Sequence, residues 1–382
     1  MSKPRNAKAS RPEKHLVVWD LDNTLTDTIK TWAQSTSRAM ARTAALYGLD
    51  HTHVQHAFRK TPSQFRFYDY TGALQWMGAQ NMLPKATNPV EETQLKATQW
   101  AIRDHWMKEQ KDLTVFYPEA VQTLRGVRDS GAQQVIYSDT EATSLILRLW
   151  FLAQNAQKSG QIADFMEIPA LFDHFYCQPS IESDTRLLSQ IDPGFVQAIK
   201  RNMTLWGPHP VTGKRLAKPS PKHLQQILKD FSCPTNRAVM VGDSDKDGAT
   251  ARPLKVAFAW HKRGCIVDRY TAESASKMSD PGYVYGTRAI EKAMKRQDVR
   301  PSITLARSLT TLFSAFNFKA GHGFSHNIEQ SETGSDHTPA HPKYVHLTAI
   351  APVHRLAPYF QSQGLRSPLG PSTHPQPASP AP

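Results

Sequence analysis

Two short aspartate clusters and three smaller polar groups carry the chemistry this sequence could perform. Asp20-Leu21-Asp22-Asn23-Thr24 follows directly on the apolar run Leu16–Trp19. Carboxylates two residues apart point the same way in extended backbone, and holding two anions together costs free energy unless a cation lies between them or one carries a proton. A surface turn with an Asx cap would have the same composition, but the apolar run before it argues for a buried position. The second cluster is Gly242-Asp243-Ser244-Asp245-Lys246-Asp247-Gly248. Its glycine permits a tight turn, and Asp243 and Asp247, four apart, can reach one pocket, where hard oxygen ligands suit Mg²⁺. The spacing of Asp245 imitates part of a calcium loop, but the bidentate glutamate such a loop requires is replaced by Leu254, which excludes that reading. Ser138-Asp139-Thr140 offers a hydroxyl and free amides ahead of a helix, a setting that suits a phosphate and equally a plain N-cap. In Lys218-Pro219-Ser220-Pro221 the prolines fix the start of a helix, and the lysine before it can neutralise a phosphoryl oxygen.

These groups need a scaffold that brings them together, and the surrounding pattern supplies one. Residues 15–19, 134–137, 238–241 and 256–259 are short apolar runs of the kind found in strands buried on both faces. Helical patterns separate them. Pro118 opens one with Val121, Leu124 and Val127 on a stripe, Leu145, Ile146 and Leu149 mark another, and Leu224, Ile227, Leu228 and Phe231 a third within Lys222–Phe231. Strand–helix alternation implies an α/β fold with a parallel sheet covered on both sides. Residues 28–116 break the alternation and read as helical, with Ile29, Trp32, Thr36, Met40 and Tyr47 near one stripe and Leu95, Gln99, Ile102 and Trp106 on another. A helical block placed just after the first strand reads as a cap or lid, and its aromatics Phe65, Phe67, Tyr68, Tyr70 and Trp76 as its core. After the last strand, Leu305, Leu309, Leu312, Phe313 and Phe316 form a stripe at helical spacing that should dock on the core.

Taken in order, Asp-x-Asp-x-Thr at a strand end, serine at a later strand end, lysine before a helix and Gly-Asp-Ser-x-x-Asp closely resemble the haloacid dehalogenase-like hydrolase superfamily. The likeness is to its phosphatase branch, phosphoglycolate phosphatase-like, with a helical cap of the C1 type. It covers about residues 15–265 and extends to Val115-Phe116-Tyr117-Pro118-Glu119-Ala120, Phe172-Asp173-His174-Phe175 and Ala259-Trp260. The resemblance implies a Rossmann-like parallel sheet core (15–27 and 117–285), an inserted α-helical cap (28–116), C-terminal helices (286–317) and Mg²⁺-dependent phosphomonoester hydrolysis of a small phosphorylated metabolite. By the same resemblance Asp20 attacks phosphorus and forms an aspartyl-phosphate, and Asp22 protonates the leaving alkoxide and then deprotonates water. Thr24 supports the loop, Ser138 and Lys218 hold phosphoryl oxygens, and Asp243 with Asp247 holds Mg²⁺, Asp20 and the Asp22 carbonyl completing the shell. The second acid Asp22 argues against carbon–halogen hydrolysis.

The chain departs from the pattern in two places. Asn23 stands where many members of this branch have glycine. Eighty residues separate Ser138 from Lys218, so 178–214, with Asp184, Arg186, Asp192, Pro193, Trp206, Pro208 and Pro210, reads as an insertion that either lies over the site or decorates the core. Lys218, with its Pro-Ser-Pro, fits the motif better than Lys214. Two other readings are a phosphomutase, which passes the same aspartyl-phosphate to another hydroxyl, and a binding or regulatory protein on this fold. The cap cations Arg59, Lys60 and Arg66 suit an anionic substrate, although a solvated face would look the same.

Composition limits the remaining classes. The 382 residues carry a net charge of +13, which invites a nucleic-acid reading. Five Lys/Arg against one Glu lie in residues 1–14, and ten Lys/Arg against five Asp/Glu in 288–382, so residues 15–287 hold only +4. Charge at the two ends bears on solubility and association rather than on a site, and with no recognition motif present it argues against a nucleic-acid partner. The longest apolar stretch, Leu145–Ala153, is interrupted by Arg148 and too short to span a bilayer, so no membrane is expected. Ten of the 27 prolines fall in Pro339–Pro382, and 318–382 reads as a disordered Pro/His-rich tail. Cys177, Cys233 and Cys265 are few and far apart, which fits a reducing cytoplasm.

Overall fold

The structure, a computed structural model, describes residues 15–62, 70–180, 188–207, 217–265, 291–306 and 308–316. In chain order the elements used below are β1 (Leu16–Trp19), α1 (Thr28–Tyr47), α2 (His51–Lys60), α3 (Tyr70–Ala79), α4 (Pro89–Leu113), α5 (Ala120–Asp129), β2 (Gln133–Glu141), α6 (Ala142–Lys158), α7 (Glu167–Ala170), β3 (His174–Gln178), α8 (Pro193–Arg201), β4 (Met203–Leu205), α9 (Pro221–Asp230), β5 (Ala238–Gly242), α10 (Asp245–Ala251), β6 (Ala257–His261), β7 (Ile303–Leu305) and α11 (Thr311–Phe316).

The seven strands form one parallel sheet in the order β4-β3-β2-β1-β5-β6-β7. β1, β5 and β6 are buried on both faces and β2 nearly so, which is why their runs are apolar throughout instead of alternating. Val17 and Trp19 face one cluster with Ile136, Phe175, Val239 and Val241, covered by Leu124 of α5, Leu145 and Leu149 of α6 and Phe195 of α8. Leu16 and Val18 face the other, with Val135, Tyr137, Met240 and Phe258, covered by Leu224, Ile227 and Leu228 of α9. The period of two along β1 thus feeds two cores. Gln134, buried inside β2, is satisfied by donating through Nε2 to the Leu124 carbonyl (2.9 Å) and accepting from Trp19 Nε1 (3.1 Å).

The sheet also contains strands that the apolar runs did not mark. Residues 193–205, inside the segment read as an insertion, form α8 and β4, and β4 extends the sheet in parallel beside β3. Asp192 is the N-cap of α8, accepting from Phe195 N at 3.0 Å, and Pro193 occupies its first turn. This part of 178–214 is therefore a β-α-β step of the sheet. Asp184, Arg186, Pro208, Pro210 and Lys214 lie outside the described residues. The stripe from Leu305 to Phe316 is likewise not one helix: Leu305 ends β7, Leu309 lies in a turn and Leu312 and Phe316 belong to α11. All four are buried in the main core, as docking on the core requires.

Ala33–Glu109 forms a separate compact unit. Its helices bury Met40 of α1, Phe58 of α2, Tyr70 of α3 and Ile102 and Trp106 of α4. Phe58 and Tyr70 stack at 5.7 Å, Tyr70 and Trp106 at 6.3 Å, and Thr43 Oγ1 lies 2.9 Å from the Tyr70 hydroxyl. The aromatics of this block that are described are thus partly its core. Phe65, Arg66, Phe67 and Tyr68, like residues 1–14 and 318–382, lie outside the described residues.

Candidate active site

The chain builds from β1 to β4 on one side of the first strand and from β5 to β7 on the other, so the strand order reverses between β1 and β5. In open α/β sheets the crevice beyond the strand ends at such a point is where ligands bind. Asp20 leaves β1 there, its backbone N–H donating to Val241 O of β5 at 2.9 Å. The loop that follows turns sharply. Asn23 takes φ +60°, its side-chain Oδ1 accepts from Ile29 N at 3.1 Å, and His261 Nδ1 lies 3.2 Å from its carbonyl. Asparagine tolerates this left-handed backbone, so the position usually given to glycine is met here by Asn23.

Asp20 is buried. Its Oδ2 accepts from Thr24 Oγ1 at 3.3 Å, and its Oδ1 lies 2.5 Å from Lys218 Nζ. Lys218 is held from several directions. Its backbone N–H donates to Asp139 Oδ1 at 3.1 Å, its Nζ stands 2.8 Å from Asp247 Oδ1, and the ring of Tyr137 lies under the ammonium at 4.9 Å. Asp243 and Asp247 stand beside Asp20, with one carboxylate oxygen from each of the three within 4.8 Å of the others. Asp247 is oriented by its own helix. The backbone N–H and hydroxyl of Ser244, just before α10, both donate to its Oδ2 at 3.1 and 2.6 Å, an N-terminal capping arrangement that leaves Oδ1 for the site. The Asp243 carbonyl accepts from Trp260 Nε1 of β6 at 3.0 Å.

The electrostatics follow from crowding. Burial raises the Asp20 carboxyl above its ordinary range; the Lys218 ammonium opposes this while Asp247 and Asp22 add to it. Burial also raises Asp243 far above that range, reinforced by Asp20 and Asp247. Burial alone would depress Lys218, but Asp20, Asp247 and Asp139 outweigh it and hold the ammonium well above its usual value. Three buried carboxylates therefore share one ammonium, and Asp247 Oδ1 has an ion pair but no hydrogen-bond donor. A hard divalent cation fits this donor set, supplying the charge that the lysine leaves unmatched.

Asp22 stands apart from the triad. Its Oδ1 accepts from Thr28 Oγ1 at 2.8 Å and pairs with Arg148 Nη1, and its Oδ2 accepts from Thr140 Oγ1 at 2.7 Å. Burial raises its pKa, but the Arg148 charge and the hydrogen bonds from Thr140, Thr28 and Arg148 outweigh burial and hold it below the usual carboxylate range. Ser138 is buried within β2, three residues before its end, where its Oγ accepts from Thr140 N at 3.1 Å. The structure thus gathers Asp20, Thr24, Lys218, Asp243 and Asp247 into one contact network and links Asp22 and Ser138 through Thr140. Arg148 and Thr28 did not stand out as site residues in the sequence. The available signal for Arg148 was a single charge in the apolar stretch Leu145–Ala153.

Residues 14–254 match the haloacid dehalogenase-like hydrolase family. Among curated proteins, none matches the chain significantly. Solved structures that resemble it include a predicted phosphoglycolate phosphatase from Haemophilus somnus, with 14% identity over 65% of this chain and 84% of that one and a TM-score of 0.34. CbbY from Rhodobacter sphaeroides, solved with phosphate, gives 14% identity over 65% and 86% with a TM-score of 0.32. SP0104 of Streptococcus pneumoniae, a haloacid dehalogenase-like family protein, gives 13% identity over 79% and 98% with a TM-score of 0.34. The family match spans more than half of the sequence, and the chain belongs to the haloacid dehalogenase-like hydrolases.

Proposed function

We propose that the protein is a Mg²⁺-dependent phosphomonoester hydrolase acting on a small phosphorylated molecule through an aspartyl-phosphate. The observation that carries this reading is the setting of Asp20, buried between Lys218 Nζ and Thr24 Oγ1 with Asp243 and Asp247 alongside. One Asp20 oxygen attacks phosphorus as the bond from phosphorus to the leaving oxygen breaks. Asp22 gives that oxygen a proton, which it can carry only once bound substrate loosens the Arg148 and Thr140 contacts that hold its pKa low, then takes one from the water that attacks the aspartyl-phosphate. Splitting one displacement into two in this way is what covalent catalysis gains. Lys218 and Ser138 hold the phosphoryl oxygens, and Thr24 keeps Asp20 in place. Asp20, Asp243, Asp247 and the Asp22 carbonyl would hold the Mg²⁺, which when bound offsets negative charge on the transferring group. A cytoplasmic setting belongs to the same reading, supported by the free, buried thiols of Cys177 and Cys233.

The test is a panel of phosphate esters with Mg²⁺, using wild type and Asp20→Asn. Release of inorganic phosphate by wild type and its loss in the variant are expected. Hydrolysis by neither protein would remove the enzymatic reading, equal hydrolysis by both would remove Asp20 as nucleophile, and an isomeric ester in place of phosphate would make the protein a mutase.

A further inference from the structure

We propose that Arg148 is the recognition residue for a second oxyanion carried on the leaving-group side of the substrate. The proposal rests on the phosphatase reading, because it takes its position from Asp22. If Asp22 delivers the proton to the leaving oxygen, whatever touches the Asp22 carboxylate lies beside the leaving group. Arg148 touches it, through Nη1, and the same nitrogen lies 3.4 Å from Thr140 Oγ1. Among the described residues its Nε and Nη2 donors have no hydrogen-bond acceptor, and its side chain keeps 18% of its surface exposed, as Asp22 keeps 28%. A guanidinium anchored by one nitrogen thus leaves its other donors open at the place where a substituent on the substrate would sit.

Two further observations favour recognition over charge balance alone. The stem of Arg148 is confined: it leaves the second turn of α6, and only 18% of the side chain is exposed. A guanidinium held by its stem loses little freedom on binding, and its planar fork matches carboxylate and phosphate oxygens. Among the described residues the other cation in contact with the site carboxylates, Lys218, is buried and occupied by Asp20 and Asp247. An anion arriving on the leaving-group side therefore meets Arg148 as its counter-charge.

Ethyl phosphate and phosphoglycolate test this directly, since they differ by a methyl against a carboxylate. With Mg²⁺, wild type should use the carboxylate ester with kcat/KM higher by about tenfold or more, mostly through KM, as a charge-assisted hydrogen bond predicts. Arg148→Gln should bring the two esters together, and Arg148→Lys, which keeps the charge without the fork, should fall between. Equal use of both esters by wild type, a preference that Arg148→Gln retains, or an equal loss on both esters would overturn the proposal, the last leaving Arg148 only as a support for Asp22. If no form hydrolyses either ester, the phosphatase reading fails by itself. Calorimetric titration with phosphonoacetate and ethylphosphonate then decides: an affinity gap that Arg148→Gln abolishes sustains the oxyanion site, and no gap ends it.

Discussion

Gly242 and Asp247 lie so close that a β-carbon on the glycine would stand 2.4 Å from both Cγ and Oδ2 of the aspartate. The glycine is therefore needed for the space over its Cα, into which the carboxylate folds. Gly242→Ala must push Asp247 out of its bonds with Ser244 and away from Lys218. Overpacking of this kind costs about 1–3 kcal/mol. The expected outcome is a protein that still folds, with weakened divalent-cation binding by calorimetry and little phosphate release. Unchanged cation affinity would show that the displaced carboxylate is not a ligand.

Lys218 supplies the ammonium among three buried carboxylates. Lys218→Met leaves Asp20 and Asp247 buried without it, and loss of one partner of a buried pair costs about 3–5 kcal/mol. A bound cation can offset part of that cost, since a ligand at a hundredfold excess over its Kd adds about 2.7 kcal/mol. Thermal melts with and without saturating MgCl₂ should give a lower Tm for the variant and a larger Mg²⁺-induced rise than in wild type. Equal rises would separate the lysine from the cation site.

Proton delivery to the leaving oxygen matters when that oxygen is a poor leaving group. Asp22→Asn should lower kcat on an alkyl phosphate by about 10²–10⁴-fold, the usual worth of a positioned acid or base. On a nitrophenyl phosphate, whose phenolate leaves without a proton, the first step should be affected far less. Equal losses on the two esters in single-turnover measurements would argue that Asp22 only supports the loop.

The buried histidines set an acid limit on stability. Burial depresses His261 to about 4, although the Asn23 carbonyl acts in the opposite direction, and burial depresses His223 to about 4 as well. Unfolded histidine titrates near ~6.5, so below that pH the unfolded chain takes up protons that the folded chain refuses. The stabilising contribution is complete above about pH 6.5 and is lost as pH falls toward 4, amounting to about 3 kcal/mol for a fully buried ring such as His261. Urea denaturation across that interval should show falling stability, with a shallower slope in His261→Gln. An unchanged slope would assign the acid sensitivity to other groups.

The strands that position the site were legible because burial on both faces makes β1, β2, β5 and β6 read as apolar runs. Three other strands were not. β3 is His-Phe-Tyr-Cys-Gln, and β4 and β7 are the three-residue Met-Thr-Leu and Ile-Thr-Leu. His174, at the start of β3, lies 2.8 Å from Thr204 Oγ1, so its partial burial leaves no apolar signature. The charged site residues were legible by type and spacing, since Asp20, Asp22, Asp243 and Asp247 make little sense on a buried edge without a cation. Arg148 was not, because its partner Asp22 lies 126 residues away and an isolated arginine on an amphipathic helix looks like a solvated one.

Strand β1 lies between β2 and β5, and the Asp20–Lys218 pair joins positions 198 residues apart. During synthesis, the residue read as nucleophile leaves the ribosome early, long before the lysine and the second aspartate cluster that give it its environment. Until Lys218 has been made Asp20 has no ammonium to face, and until β5 has been made β1 has a neighbour on one side only. Long-range closure of this kind comes late in folding. A fragment ending before residue 238 would carry the Asp-x-Asp motif and Lys218 but lack β5, Asp243 and Asp247, so the candidate site is assembled only when the second half of the sheet forms.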